Sequence, residues 1–263
     1  MPDDRPSASY PEGHLASLSL DELRLMPRTK PILFSGPMIR ALLDGRKTQT
    51  RRVLKPQPPK GEYGDDYITR LNGPEWYEPA VVGKDGEIVP GKPIWGVYDD
   101  FGDFGARVSY MPGDLLWVRE RWSDELLAPG EVYYYATALE DGLRADEVAE
   151  IRWRPSIHMP RWASRITLEV TAVRVQRLQE ISDDDALAEG VTKVRDNCYV
   201  IRGIDYDEIG LCHSGPIAPF AKLWDSLNAE RGFGWDDNPW VIAVSFRVHK
   251  MNVDQFLAQR EVA

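Results

Sequence analysis

Cysteine is nearly absent from this chain: Cys198 and Cys212 are the two among 263 residues. That is too few for a disulfide framework and agrees with a reducing cytosol, so both are expected to be free packing residues. Histidine is also scarce, with four. Cys198, Cys212, His158 and His213 match no usual zinc spacing, so no metal site is expected. No stretch approaches the roughly 18 apolar residues of a membrane span, and the first thirty residues lack the apolar core of a secretory signal. A cytoplasmic protein with no membrane partner is expected. Glycine-rich phosphate loops, Ser-His-Asp signals and His-Glu-x-x-His are missing, and no cofactor is implied. Positive charge is short too. Against 42 Asp and Glu there are 32 Lys and Arg, a net charge of −10 and a pI near 5.0. That balance argues against sequence-independent duplex binding, which rests on many cation–phosphate contacts.

Against this acidic background stands one cationic island, residues 37–55. Arg40, Arg46, Lys47, Arg51, Arg52 and Lys55 face Asp44 alone, six positives less one negative for +5, so the rest of the chain sums to about −15. A local positive site on an acidic protein suits a defined anionic or polar ligand better than a long nucleic-acid backbone.

The chain alternates clear elements with irregular stretches. Residues 1–30 read as an N-terminal extension with a short helix over 20–26. Residues 31–34 form a short apolar strand. Ser35-Gly36-Pro37 places a cap and a first-turn proline before a helix, and Gly45 suits the left-handed position that ends it. Residues 48–54 return to alternating, β-favouring types. A turn at Pro112-Gly113-Asp114 leads into a strand over 115–119, and 166–175 alternates as a long strand. Residues 182–189 make a short helix, with Ser182 and Asp185 at capping spacing and Gly190 as its stop. A helix over 216–229 and a strand over 240–248 follow, then a tail from 251 to 263. Three insertions, at about 55–112, 123–155 and 191–215, show little periodicity. Short strands with few helices predict a mainly β, α+β domain over 31–250, closed as a small barrel rather than a parallel βαβ sheet.

Gly45-x-Lys47-x-x-x-x-Arg52 after a short helix, then the Pro-Gly-Asp turn and its strand, resembles the ASCH domain, a relative of the PUA barrel. The likeness continues through Ile166-Thr167-Leu168-Glu169-Val170-Thr171, Ile181-Ser182, Ala188-Glu189-Gly190 and the closing strand. The longer layout, with Arg161-Trp162-Ala163-Ser164-Arg165 and Trp235-Asp236-Asp237-Asn238-Pro239-Trp240, is similar to larger ASCH proteins of phages and prophages. The resemblance implies a PUA-like barrel elaborated by insertions and chemistry on RNA or modified nucleotides. A small subgroup removes the acetyl group from N4-acetylcytidine with a lysine, a threonine and a glutamate. Its motif maps these onto Lys47, Thr50 and Glu189. Other members bind nucleic acid or cleave RNA.

The residues allow the same chemistry on their own terms. Alternation puts Thr48, Thr50 and Arg52 on one face of their strand and Gln49, Arg51 and Val53 on the other. A threonine hydroxyl needs a base before it attacks, and burial beside Arg46, Arg51 and Arg52 would lower the pKa of Lys47 toward that task. A carboxylate could protonate a departing amine, and an arginine could hold the oxyanion or a phosphate. Glu189, in the last turn of its helix, opposes the helix dipole by roughly 0.3–1 kcal/mol, a hint of function. Glu120 is the rival carboxylate. Asp183, Asp184 and Asp185 read as a solvated run. Trp162 beside Arg161 is the best candidate for stacking on a base. Bland roles compete throughout: a lysine past a helix end pairs with free carbonyls, and threonines are common in strands. Three readings stay open: a module binding a nucleotide, modified nucleoside or single-stranded RNA; an amidohydrolase on acylated cytidine; and a metal-independent ribonuclease.

Overall fold

A computed structural model describes residues 28–60, 68–125, 131–201 and 212–262. The helix expected over 20–26 lies outside them. The framework runs β1 (Thr29–Leu33), α1 (Gly36–Leu43), β2 (Gln49–Val53), β3 (Asn72–Tyr77), β4 (Ala80–Val82), β5 (Ile88–Pro90), β6 (Ile94–Tyr98), β7 (Gly105–Arg107), β8 (Leu115–Arg119), β9 (Trp122–Ser123) and β10 (Tyr133–Tyr134). It continues with α2 (Ala145–Glu150), β11 (Thr167–Arg177), α3 (Asp183–Ala188), β12 (Thr192–Arg195), β13 (Cys198–Val200), α4 (Ile217–Asn228), β14 (Trp240–His249) and α5 (Val253–Val262). Strands predominate and the helices are short.

Five strands form the main sheet in the order β1-β8-β11-β14-β2. β1 and β8 are parallel, and the other neighbours are antiparallel. The expected closed barrel is not found. β1 and β2 remain the two edges, and among the described residues no backbone ladder joins them. The alternation in sequence marked the five strands of this sheet but not whether its edges would meet, since closure depends on tilt and stagger.

Both faces of the sheet are covered. Trp240, Ile242, Val244 and Phe246 of β14 pack with Leu116 and Val118 of β8, Leu168 and Val170 of β11, and Ile39 and Leu42 of α1. On the opposite face Val241 meets Phe220, Leu223 and Trp224 of α4 and Ala186 of α3. Leu115 and Trp117 of β8 are capped by Val253 and Phe256 of α5. Two-sided cover is why β8 and β14 are buried nearly without alternation. Each such aliphatic side chain contributes about 1.5–3 kcal/mol of transfer free energy.

Four sequence expectations need correction. The insertion at 55–112 is not irregular: β3, β6 and β7 form an antiparallel sheet, β4 and β5 a hairpin. Val97, Phe104 and Ala106 of this segment join the main core. Its strands are three to six residues long and broken by glycine and proline, so no period-2 pattern could accumulate. The boundary at residue 30 is too late, because β1 begins at Thr29, and Arg28 Nε and Nη2 donate to Asp114 at 2.7 and 2.8 Å. The tail is the helix α5, anchored by Val253, Phe256 and the partly buried Leu257, a single turn of apolar spacing in an otherwise mixed sequence. Finally, Cys198 and Cys212 are bonded to each other rather than free, which takes away the argument from free thiols to a reducing compartment. Among the described residues no helix is long and apolar enough to cross a membrane.

Candidate functional site

The turn between α1 and β2 is built as its residues dictate. Gly45 adopts φ +73° and its N–H returns to Leu42 O at 3.0 Å. Arg46 N and Lys47 N then both donate to Ala41 O, at 2.9 and 3.0 Å. These bonds turn the Lys47 side chain under α1, where it is fully buried. The second piece of the site is the end of α3. Ser182 Oγ caps the helix by accepting from Asp185 N at 3.2 Å, and Glu189 closes it. Gly190 follows at φ +108°, where a Cβ would come within 3.2 Å of Ala41 Cβ, so glycine alone suits both the backbone and the close approach. Thr48 N donates to Ala188 O at 2.8 Å, and Arg46 Nη1 reaches Gly190 O and Thr192 Oγ1 at 3.1 and 3.0 Å. Segments about 140 residues apart in sequence are thereby locked together.

At their junction Lys47 Nζ lies 2.7 Å from Glu189 Oε2 and 2.8 Å from the Glu189 carbonyl oxygen. Arg51 Nη1 contacts the other carboxylate oxygen at 3.2 Å, and its Nη2 donates to Asp185 Oδ2 at 2.7 Å. Gln49 joins the network through Arg51 and Asp185, at 2.6 and 3.1 Å. The dipole misfit of a carboxylate at a helix end is thus offset by two cations. Burial lowers the pKa of Lys47; the Glu189 charge and hydrogen bond pull it up, while Arg52 and Arg51 add to the lowering. For Asp185, burial pushes the pKa up, but hydrogen bonds from Arg174 and Gln49 and the charges of Arg51 and Arg174 together hold it below the usual carboxylate value.

A cleft of about 320 Å³ opens beside this network, between α1, β2 and α4. Thr50, Arg51, Arg52 and Glu189 are among the residues that line it, together with Phe220 and Trp224 of α4; Arg51 lies against Phe220 and Arg52 against Phe34, on the two faces of β2. Lys47 does not line the cleft; it stands behind Glu189. The Thr50 hydroxyl makes no hydrogen bond to the described residues. Arg52 lines the cleft while donating from Nη2 to Leu33 O at 2.8 Å, with its guanidinium 5.2 Å from the Phe34 ring. At the mouth, Lys55 and Arg231 are exposed cations.

The structure brings together Lys47, Thr50, Glu189, Arg51 and Arg52, with Arg46 bracing the turn. It does not bring Arg161, Trp162 or Glu120 to this cleft. Arg161 pairs with Asp254 at 2.6 Å and with Thr29 Oγ1 at 2.7 Å, tying α5 to the framework. Trp162 sits edge-on to Trp122, with ring centroids 6.2 Å apart. Glu120 accepts from Arg165 through both oxygens, at 2.9 and 3.0 Å. Burial raises its pKa, Arg165 draws it down, and Asp141 adds to the rise. Asp185 is the residue that sequence reasoning missed. A signal was present: Asp185 and Glu189 are four apart, hence on one helical face, whereas Asp183 and Asp184 are not.

No protein-family model matches the chain, and no curated protein matches it. Among solved structures it is similar to the ASCH domain from Lactobacillus crispatus JV V101, at 12% identity over 90% of this chain and 89% of that one, with a TM-score of 0.34. At that distance the likeness assigns neither a family nor an activity.

Proposed function

We propose that the cleft binds an acylated cytidine or a related modified base and hydrolyses its exocyclic amide. One observation carries this reading: Glu189, held by Lys47 and Arg51, lines the same cleft as Thr50, a residue whose hydroxyl has no partner among the described residues. The motif likeness to the ASCH amidohydrolases supplies the substrate class. In the proposed reaction Glu189 accepts the Thr50 proton as Oγ adds to the acyl carbonyl. Collapse of the adduct breaks the C–N bond, and the proton passes from Glu189 to the departing amine. Water then cleaves the acyl-threonine, with Glu189 again taking and returning a proton. Arg52 and the buried Arg51, both lining the cleft, supply positive charge for the developing oxyanion. Lys47 is a positioning residue here, because its bonds run to Glu189 and not to the cleft.

The test is incubation with N4-acetylcytidine, with cytidine and acetate followed by chromatography. Turnover is expected in the native protein and should fall by roughly 10²–10⁴ in Glu189→Gln and Thr50→Val. Native protein that forms no cytidine, or a Thr50→Val variant of full activity, sinks the reading. A Lys47→Met variant that folds should shift the pH profile of turnover as well as lower it.

A second reading is recognition without turnover of a nucleotide, modified nucleoside or single-stranded RNA. It is favoured by the complete enclosure of Lys47, whose role would then be to fix the wall. It predicts saturable cytidine-nucleotide binding, weakened by salt and by Arg231→Ala, with no product formed.

A further inference from the structure

Across α1 from the first cleft lies a second and larger one of about 640 Å³. Adjacent residues divide the two: Met38 lines the first and Pro37 the second. The second has Glu120 at its base and Arg121, Tyr135 and Trp153 on its walls, the two aromatics coming from the segment 123–155. These groups are held in place. Tyr135 N donates to Arg121 O at 3.0 Å, and the Arg121 guanidinium lies 4.3 Å from the Tyr135 ring centre. Tyr135 and Trp153 meet edge to face at 5.1 Å. Trp153 Nε1 donates to Val148 O at 2.8 Å, which fixes the indole and leaves its faces as its means of contact.

Glu120 completes the set. It is 2% exposed yet reaches the cleft, and Arg165 occupies one acceptor direction on each of its oxygens. An ionised carboxylate has about four such directions, so this cleft-lining residue keeps acceptor capacity beyond Arg165. Aromatic faces and a guanidinium beside a seated acceptor suit a flat ring that presents an N–H₂ group. An aliphatic ligand would leave the carboxylate without a donor, and a simple anion would be repelled by it.

We propose that this second cleft binds a nucleobase carrying an exocyclic amine, gripped by Trp153 and Arg121 and read by Glu120. The proposal stands on this cleft alone and does not need the first to be hydrolytic. Such a base reaches the cleft either as a free nucleotide or within a single strand whose neighbouring residues lie across α1.

The experiment follows tryptophan fluorescence on titration of the full chain with CMP, AMP, UMP and an eight-residue single-stranded RNA containing A and C. CMP or AMP should quench the emission, and UMP, which lacks the amine, should bind roughly tenfold or more weakly. Trp153→Leu and Arg121→Ala should each lose roughly fivefold or more of the affinity, with Trp153→Phe retaining most of it. Glu120→Gln should reduce the preference over UMP. Saturation by the octamer without saturation by mononucleotides would identify a strand as the source. The proposal is overturned if none of these probes gives a signal dependent on Trp153. It is overturned equally if binding survives Trp153→Leu and disappears in Thr50→Val, which would place it in the first cleft.

Discussion

Arg52 on β2 donates its Nη2 proton to the carbonyl oxygen of Leu33 on β1 at 2.8 Å, joining the two edges of the five-stranded sheet. The sheet therefore curls until its edges are one arginine side chain apart. A guanidinium spans the seam that a backbone ladder leaves open. Its plane also lies near Phe34, which belongs to the core under the seam. Arg52→Met should lower stability by about 1–2 kcal/mol through the lost hydrogen bond and cation–π contact. Chemical denaturation of native and variant protein measures it, and an unchanged midpoint would mean that the edges hold without this clasp.

Lys47 and Glu189 form a buried pair, with side chains 0% and 3% exposed. Breaking such a pair from one side is costly, about 3–5 kcal/mol, because the remaining charge loses its partner in a dry site. Lys47→Met should approach that loss, softened by the second contact of Glu189 with Arg51. The pH dependence has a definite sign. The folded pKa of Lys47 lies below the unfolded value of 10.5, so between the two the unfolded chain binds the extra proton. Native stability should then rise with pH across that window relative to Lys47→Met, whereas at lower pH the difference should be flat. A difference that falls with rising pH would show that the Glu189 charge outweighs burial.

Asp185 receives Arg51 at 2.7 Å and Arg174 at 2.9 Å. Its folded pKa is below 3.8, so the stability it contributes is present above that value and is lost as pH falls through it toward the folded pKa. Half of the contact is with an exposed arginine, so about 1 kcal/mol is expected. Acid titration of native protein against Asp185→Asn, followed by circular dichroism, should show the two stabilities converging below pH 3.8. Parallel curves would mean that the carboxylate is not held in its charged form.

Much of this arrangement was legible in the residues. Ser35, Pro37 and Gly45 bound α1, Ser182 and Gly190 bound α3, and alternation marks β11, because caps and periods act over a few neighbours. The convergence of the 45–52 turn on Glu189 was legible only through the motif likeness, since nothing local in Glu189 names Lys47 as its partner. Asp185 looked solvated because three aspartates in a row carry no mark of which one faces inward; only the spacing to Glu189 distinguishes it. Arg161-Trp162 looked like a stacking pair by type. Its actual partner, Asp254, lies 93 residues further on, and such a pairing has no signature in the dipeptide.

The bond between Cys198 and Cys212 ties β13 to the approach to α4, across a sequence separation of 14. Cys198 is buried, and its neighbours Tyr199 and Ile201 pack in the cluster that holds Phe220 and Leu223. His213 pairs back onto Tyr199 through backbone bonds of 3.0 and 3.2 Å, so the bridge and the covalent link join the same two stretches of chain. On the chain-entropy view, closing a loop of this length restricts the unfolded chain by about 3 kcal/mol. The double variant Cys198→Ser, Cys212→Ser should therefore unfold at lower guanidinium concentration than the oxidised protein. Added reductant should bring the native midpoint to the same place without moving that of the variant. If reductant leaves the native midpoint unchanged while thiol titration finds both cysteines free, the crosslink contributes nothing and α4 is held by its apolar contacts alone.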